Sequence, residues 1–311
     1  MGLDQIIGNE RVKEYIRQAV AHKKVSHAYI IEGEKGSGKK LITDAFISLL
    51  GVDAPDVIRV IHEKPNIISV DEIRDQVVNT IDIKPYKYNY KVYIIDEAEK
   101  MGVPAQNAIL KTVEEPPSYG ILFLLTTSKG ALLDTIISRC VNLQTRPVPD
   151  RELENYLRTT CQLSEEEARF ASGYAMGNIG KAKNAAASES FQEMKEEMLT
   201  ILRLLDESSL YQLSEPVKKL GKYKDHLHEL MDITMLWYRD LLMVMSGLSE
   251  QIVLKGEFEH LYRQSKRISP LSVNLAFDRI QLMRSRFKAN VNYEASMEMM
   301  FIQMRGDFFD R

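Results

Sequence analysis

Cysteine is nearly absent from this chain: two occur in 311 residues, Cys140 and Cys161. That excludes a disulfide framework and any all-cysteine zinc site made by this chain alone. Long apolar runs are missing too. Nothing approaches the roughly 18 consecutive apolar residues that would span a bilayer, and the segment from Met1 to Glu10 carries charges without the apolar stretch of a leader. Met1-Gly2 begins like an acylation signal, but Ile6 stands where Ser or Thr is required. These absences lead to the expectation of a reduced, cytoplasmic protein without a membrane partner. An excess of one charge is also lacking. With 41 basic and 44 acidic residues the formal net charge is -3, so there is no global electrostatic reason for tight, independent nucleic-acid binding. There is no internal repeat and no low-complexity tract. The single tryptophan, Trp237, lies beside Tyr238 in an apolar helical stretch, where core packing is the ordinary role.

What is present is a 44% apolar composition, enough to bury about two domains or three small ones. The first half alternates strand and helix. Asn9 is placed to cap a helix reaching Ala21, with Val12, Tyr15, Ile16 and Val20 on one face. Strands are expected at Ala28 to Ile31, Val57 to Ile61, Lys91 to Ile95 and Ile121 to Leu125, with a possible fifth at Val141 to Leu143. Helices are expected over Leu41 to Leu50, Val70 to Ile81, Pro104 to Val113 and the short Asp134 to Ser138. This alternation implies a parallel sheet covered on both faces. From Pro147-Val148-Pro149-Asp150 onward strand-like runs vanish and helical periodicity dominates. The division expected is 1–148 as an α/β domain, 149–190 as a short helical domain and 191–311 as a larger one, with the small-residue stretch from Ala185 to Ser190 at the softer second boundary.

The first strand runs into Glu32-Gly33-Glu34-Lys35-Gly36-Ser37-Gly38-Lys39-Lys40 and then a helix. Strand, glycine loop, helix is the context of a phosphate-binding loop. Gly33, Gly36 and Gly38 let backbone N–H groups curl round phosphate oxygens, and Lys39 reaches the outer phosphates. The following position breaks the pattern. Lys40 stands where a Ser or Thr hydroxyl would bind magnesium, and it brings a positive charge and no acceptor. Asp96 and Glu97 end the third strand at the carboxyl edge of the sheet, where ligands bind in open α/β folds. There the first carboxylate would hold magnesium and the second would activate water; alone, such acids are common turn or cap residues. Thr127, between Thr126 and Ser128 at the end of the fourth strand, either lies between nucleotide and attacking water or simply finishes the strand. Arg139 offers a planar, permanently charged fork suited to phosphate, though a single arginine is usually a solvated surface residue. His62 has no partners in sequence and reads as a strand or surface residue.

Taken together, Val25-Ser26-His27-Ala28-Tyr29, the glycine loop, Ile94-Ile95-Asp96-Glu97-Ala98-Glu99-Lys100-Met101, the run from Gln106 to Pro117 and Ser138-Arg139-Cys140 resemble the AAA+ clamp-loader subunits of bacterial DNA polymerase III. The resemblance covers the first 145 residues strongly and the rest in length and class alone. It implies an AAA+ P-loop domain over 1–148, a helical lid over 149–190 and a C-terminal helical collar over 191–311. Lys40, and Gly180 where motor subunits carry a nucleotide-sensing arginine, point to the delta-prime branch rather than the gamma/tau motor. Residues Leu50 to Pro65 lack the cysteines of the family's zinc module, so no metal is expected.

By the family's logic Arg139 would act in trans, in the ATP site of a neighbouring subunit. Gly33, Gly36, Gly38, Lys39, Asp96, Glu97 and Thr127 would form this chain's own site, with weak ATP binding and no required cofactor. The implied partners are the gamma/tau and delta subunits in a hetero-oligomeric ring and, through the complex, the sliding clamp and primed DNA. Two rivals stand beside this reading. A motor ATPase would be favoured by Ser or Thr at position 40 and an arginine near position 180. A DNA-binding AAA+ initiator or helicase loader would be favoured by a helix-turn-helix or a basic C-terminal domain.

Overall fold

The computed structural model describes residues 2–288 and 292–308. They group into two compact units, one formed by Met1–Leu153 with Gly177–Gly180, the other by Glu154–Met176 with Lys181–Arg311. The first unit contains, in chain order, α1 (Glu10–Ala21), β1 (Ala28–Glu32), α2 (Lys39–Leu49), β2 (Val57–Arg59), α3 (Val70–Ile73), β3 (Lys91–Ile95), α4 (Val103–Glu114), β4 (Gly120–Thr126), α5 (Asp134–Ile137) and β5 (Val141–Gln144). The strands form one parallel sheet in the order β2-β3-β4-β1-β5.

A parallel sheet needs cover on both faces, and the pleat supplies two apolar sets. Tyr29, Ile31, Ile94, Phe123 and Leu125 pack with Ile16 of α1 and Ile42 and Phe46 of α2. Ala28, Ile30, Tyr93, Ile95, Leu122 and Leu124 pack with Ile73 of α3 and Ile109 of α4. Register brings Tyr29 opposite Phe123, and their rings stack with centroids 5.2 Å apart. Each such fully buried side chain contributes about 1.5–3 kcal/mol. Asp56, buried just before β2, accepts the N–H groups of Tyr86, Lys87 and Tyr88 at 2.6, 2.8 and 2.9 Å. It therefore holds the loop that leads into β3.

Three local expectations are corrected. Asn9 is the N-cap residue of α1, as expected, but its side chain makes no capping bond. It sits in the left-handed region at φ 59°, and its Oδ1 accepts the Arg146 N–H at 2.7 Å. β2 stops at Arg59, short of Ile61, which is 74% exposed. The helix expected to Ile81 is α-helical only to Ile73, then widens into a π-turn over Arg74–Val78. Just beyond, the Thr80 hydroxyl lies against the Gln76 and Val77 carbonyls and the Tyr93 hydroxyl, and Lys91 Nζ takes the Thr80 and Ile83 carbonyls. Carbonyls taken up by side chains are drawn away from the regular ladder.

The remaining elements are helices: α6 (Asp150–Thr160), α7 (Glu165–Ala175), α8 (Ile179–Ala187), α9 (Glu189–Leu204), α10 (Leu210–Lys219), α11 (Leu227–Met245), α12 (Phe258–Ser265), α13 (Pro270–Lys288) and α14 (Tyr293–Gly306). Trp237 on α11 is fully buried, as its apolar surroundings in sequence suggest, and its indole N–H donates to Gln264 Oε1 at 2.9 Å. Among the described residues no helix is long and apolar enough to cross a membrane.

Candidate functional site

Beyond the carboxyl ends of β1, β3 and β4 lies a cavity of about 490 Å³, lined by Lys35, Gly36, Gly38, Lys39, Lys40, Asp96, Glu97, Glu99 and Thr127 among others. The sheet order puts β1, which feeds the glycine loop, beside β4, with β3 next. Every loop, acidic and threonine position anticipated from sequence except Gly33 therefore lines one cavity, and Gly33 touches it through Lys39. Gly36 and Gly38 have φ of +89° and +92°, a conformation that glycine adopts without strain. Gly38 is the residue from which α2 starts.

Lys39 folds back on its own loop. Its Nζ donates to the Gly33 carbonyl at 2.6 Å and the Glu34 carbonyl at 2.9 Å. Burial pulls this ammonium below the usual lysine value, with the carboxylates of Glu99, Asp96 and Glu97 opposing the shift. Lys40 has a different partner: its Nζ lies 2.6 Å from Asp96 Oδ2. Glu97 is the left-handed residue at φ 51° after β3, and Lys100 Nζ sits 2.5 Å from its Oε2. Glu99, present in the sequence only as part of a motif, accepts the Thr127 hydroxyl at 2.6 Å, while its Oε2 is buried without a partner. Burial raises the Glu99 carboxyl, but hydrogen bonding, led by the Thr127 hydroxyl, outweighs it and holds the group below the usual carboxylate range.

Magnesium, which a phosphate-binding loop of this shape ordinarily uses, does not fit these residues. The loop hydroxyl is replaced by an ammonium, and that ammonium occupies the strand-end carboxylate that would be the metal's other protein partner. The neighbouring hydroxyls are oriented by other contacts: Ser37 Oγ accepts from Thr145, Thr126 donates to the Ser128 carbonyl, Thr127 donates to Glu99, and Thr43 donates to the Lys39 carbonyl. Among the described residues no cluster of three or more His, Cys, Asp or Glu could hold a metal. His62 lies in the loop after β2, its Nε2 4.0 Å from Glu97.

The segment Gly177–Gly180 packs on the loop. The Gly180 N–H donates to the Gly36 carbonyl at 2.9 Å, and Asn178 Nδ2 donates to the Lys35 carbonyl at 2.8 Å. A Cβ on Gly180 would stand 2.7 Å from Gly36 Cα and 2.8 Å from its carbonyl oxygen. Gly180 is thus more than the place where an arginine is missing. It is a glycine because two backbones meet there.

Arg139 stands outside the cavity, after α5. One nitrogen, Nη2, lies 3.0 Å from Glu114 Oε1 at the end of α4, and Nη1 donates to the Thr135 carbonyl at 3.0 Å. Its side chain is 42% exposed, so the fork is held at both terminal nitrogens while part of it reaches solvent. The adjacent Cys140 is buried, which pushes its thiol up to about 12 and removes it as a nucleophile.

Comparison with known proteins gives a consistent set of likenesses. Residues 51–149 match a family described as "DNA polymerase III, delta subunit". The chain is 24% identical over 319 residues to DNA polymerase III subunit delta' of Bacillus subtilis, spanning 95% of each protein. It is 35% identical over 158 residues to DNA polymerase III subunit tau of the same organism, covering 44% of this chain and 28% of the relative. Among solved structures, a DNA polymerase III gamma subunit-related protein of Thermotoga maritima superposes with a TM-score of 0.50 at 19% identity, covering 94% of this chain and 99% of that one, a likeness of fold.

Proposed function

We propose that this chain, similar to DNA polymerase III clamp-loader subunits, is a delta-prime-type subunit that completes a neighbour's ATP site without turning over ATP in its own. The observation carrying this is the Lys40–Asp96 contact at 2.6 Å. Phosphoryl transfer in this class of site needs a metal bridging the phosphates, a group that orients water and a charge that stabilises the transferring phosphoryl. Here Asp96 is held by Lys40, Glu97 by Lys100 and Thr127 by Glu99. Each catalytic position has an internal partner in place of a reacting one.

In this reading nucleotide is not required for the subunit to do its work. Arg139, exposed and outside the cavity, supplies the cationic fork to the next subunit. Such a finger raises the rate by about a thousand- to a hundred-thousandfold. Gamma/tau and delta subunits would be the ring partners, residues 149–190 the lid and residues 191–311 the share in a collar. Clamp and primed DNA would be reached through the complex, consistent with the lack of net positive charge.

The motor reading has one observation in its favour, the intact cavity with Lys39, together with the similarity to tau over 158 residues. The experiment that separates the two is ATP hydrolysis by the complex reconstituted with its partner subunits, clamp and primed DNA, comparing wild type with Arg139→Ala and with Lys39→Ala. The proposed role gives loss with the first and wild-type rates with the second; the reverse pattern would restore the motor.

A further inference from the structure

We propose that the glycine-loop cavity takes a nucleoside di- or triphosphate free of divalent cation, with the Lys40 ammonium serving where metal-dependent loops use magnesium. This rests on the reading of the chain as a non-hydrolysing member of its family, and it concerns the ligand form that the site accepts. The protein charges lining the cavity balance. Lys35, Lys39 and Lys40 face Asp96, Glu97 and Glu99, and Glu97 is additionally held by Lys100 from outside the lining. An incoming polyphosphate therefore meets Asp96 and Glu97 already paired with ammonium groups.

The loop and its two lysines carry the donors for it. Lys40 is 66% exposed while touching Asp96, and an ammonium has three protons, so it can keep Asp96 and still donate to a phosphate oxygen. Lys39 gives two protons to loop carbonyls and retains a third. Gly36 and Gly38 present the loop backbone without side chains, and α2 begins immediately after, its N-terminal dipole favouring an anion. A metal-bound polyphosphate is the worse ligand. Its cation would face the ammonium of Lys40, which already holds the strand-end carboxylate of Asp96. Complexed magnesium would also cancel two of the negative charges that the lysines attract.

The test is equilibrium binding of ADP and ATP to the full chain by titration calorimetry, at matched ionic strength, in EDTA and in excess magnesium chloride. The variants are Lys40→Thr and Lys39→Ala, with thermal unfolding as the folding control. Wild type is expected to bind in EDTA and to bind at least about fivefold more weakly with magnesium, the effect of one unit charge about 4 Å away in water. Lys40→Thr should reverse the sign, binding more tightly with magnesium, and Lys39→Ala should lose binding in both buffers. Wild-type binding that depends on magnesium, no saturable wild-type binding at millimolar nucleotide, or a folded Lys40→Thr protein with unchanged metal response would each overturn the proposal. Absence of binding would leave the Arg139 role standing, whereas magnesium-dependent turnover would remove both.

Discussion

Replacing Gly180 with alanine sets two physical effects of opposite sign against each other. Gly180 is the second residue of α8, and in a helix alanine is favoured over glycine by about 0.5–1 kcal/mol. On propensity alone the variant would be more stable. The contact with Gly36 argues the other way. The new Cβ would be placed 2.7 Å from Gly36 Cα and 2.8 Å from its oxygen, both backbone atoms that cannot rotate aside. Relief requires the segment to lift away, which stretches or breaks the 2.9 Å bond from the Gly180 N–H to the Gly36 carbonyl. Overpacking costs about 1–3 kcal/mol and a lost hydrogen bond about 0.5–1.5 kcal/mol. Set against the helix gain, the net expectation is a destabilisation of about 1–3 kcal/mol. The assay is urea unfolding followed by amide exchange at Gly36, Asn178 and Gly180. The exchange readout matters because the loss falls on the 177–180 segment, which can open before the unit unfolds. An alanine variant as stable as wild type or more so, with undiminished protection at these amides, would refute the reasoning. Arginine at this position meets the same Cβ clash, so grafting it is expected to loosen the segment rather than to create a sensing residue.

The isolated protein is expected to hydrolyse ATP with magnesium no faster than a buffer blank; turnover that disappears in Lys39→Ala, measured by steady-state phosphate release, would contradict the engaged state of Asp96 and Glu97. Arg139→Ala should cost the protein itself no more than about 1 kcal/mol, because its Glu114 partner is exposed, and should assemble normally while the reconstituted complex loses stimulated ATPase activity. Arg139→Lys should not rescue that activity, since the bidentate fork is gone; wild-type rates from an assembled Arg139→Ala complex would show that the residue is structural. Asp56→Ala should destabilise the first unit by about 1–3 kcal/mol by removing the buried carboxylate that three loop N–H groups share. Burial alone would raise the Asp56 carboxyl, but the N–H groups of Tyr86, Lys87 and Tyr88 and the Lys91 charge hold it below its unfolded value of about 3.9. Its stabilisation is therefore complete above that pH and lost as pH falls toward the folded pKa. Acid-unfolding curves of wild type and Asp56→Ala should accordingly converge at low pH, and a constant gap would count against this assignment.

The elements of the first unit were legible because their signals are local. Ala28 to Ile31, Val92 to Ile95 and Ile121 to Leu125 are continuous apolar runs bounded by polar or glycine residues, and a parallel sheet buried on both faces requires such runs. The glycine loop was legible for the same reason, as its spacing is itself the requirement for wrapping phosphate. Where a residue had two local options, the sequence left the choice open. Asn9 can cap a helix or bond elsewhere, and the partner that decided, the Arg146 N–H, arrives only when β5 lies beside β1. The turns after Ile73 are consistent with helix by periodicity, and it took Thr80, Lys91 and Tyr93 together to make a π-turn there favourable.

At the site, the sequence by itself determined which groups are available: a glycine loop, two adjacent lysines, two strand-end carboxylates and an arginine beyond. That Lys40 lacks the metal-binding oxygen is a property of the residue and needs no fold. Which charge meets which was decided only by tertiary structure. Lys40 on Asp96, Lys39 on its own loop carbonyls and Thr127 on Glu99 depend on β1, β3 and β4 being neighbours with their carboxyl ends at one edge, since ionic and hydrogen-bond energies fall off within a few ångströms. Gly180 marks the limit most clearly. In sequence it is an absent arginine; in the fold it is the one residue small enough to let its backbone reach the Gly36 carbonyl.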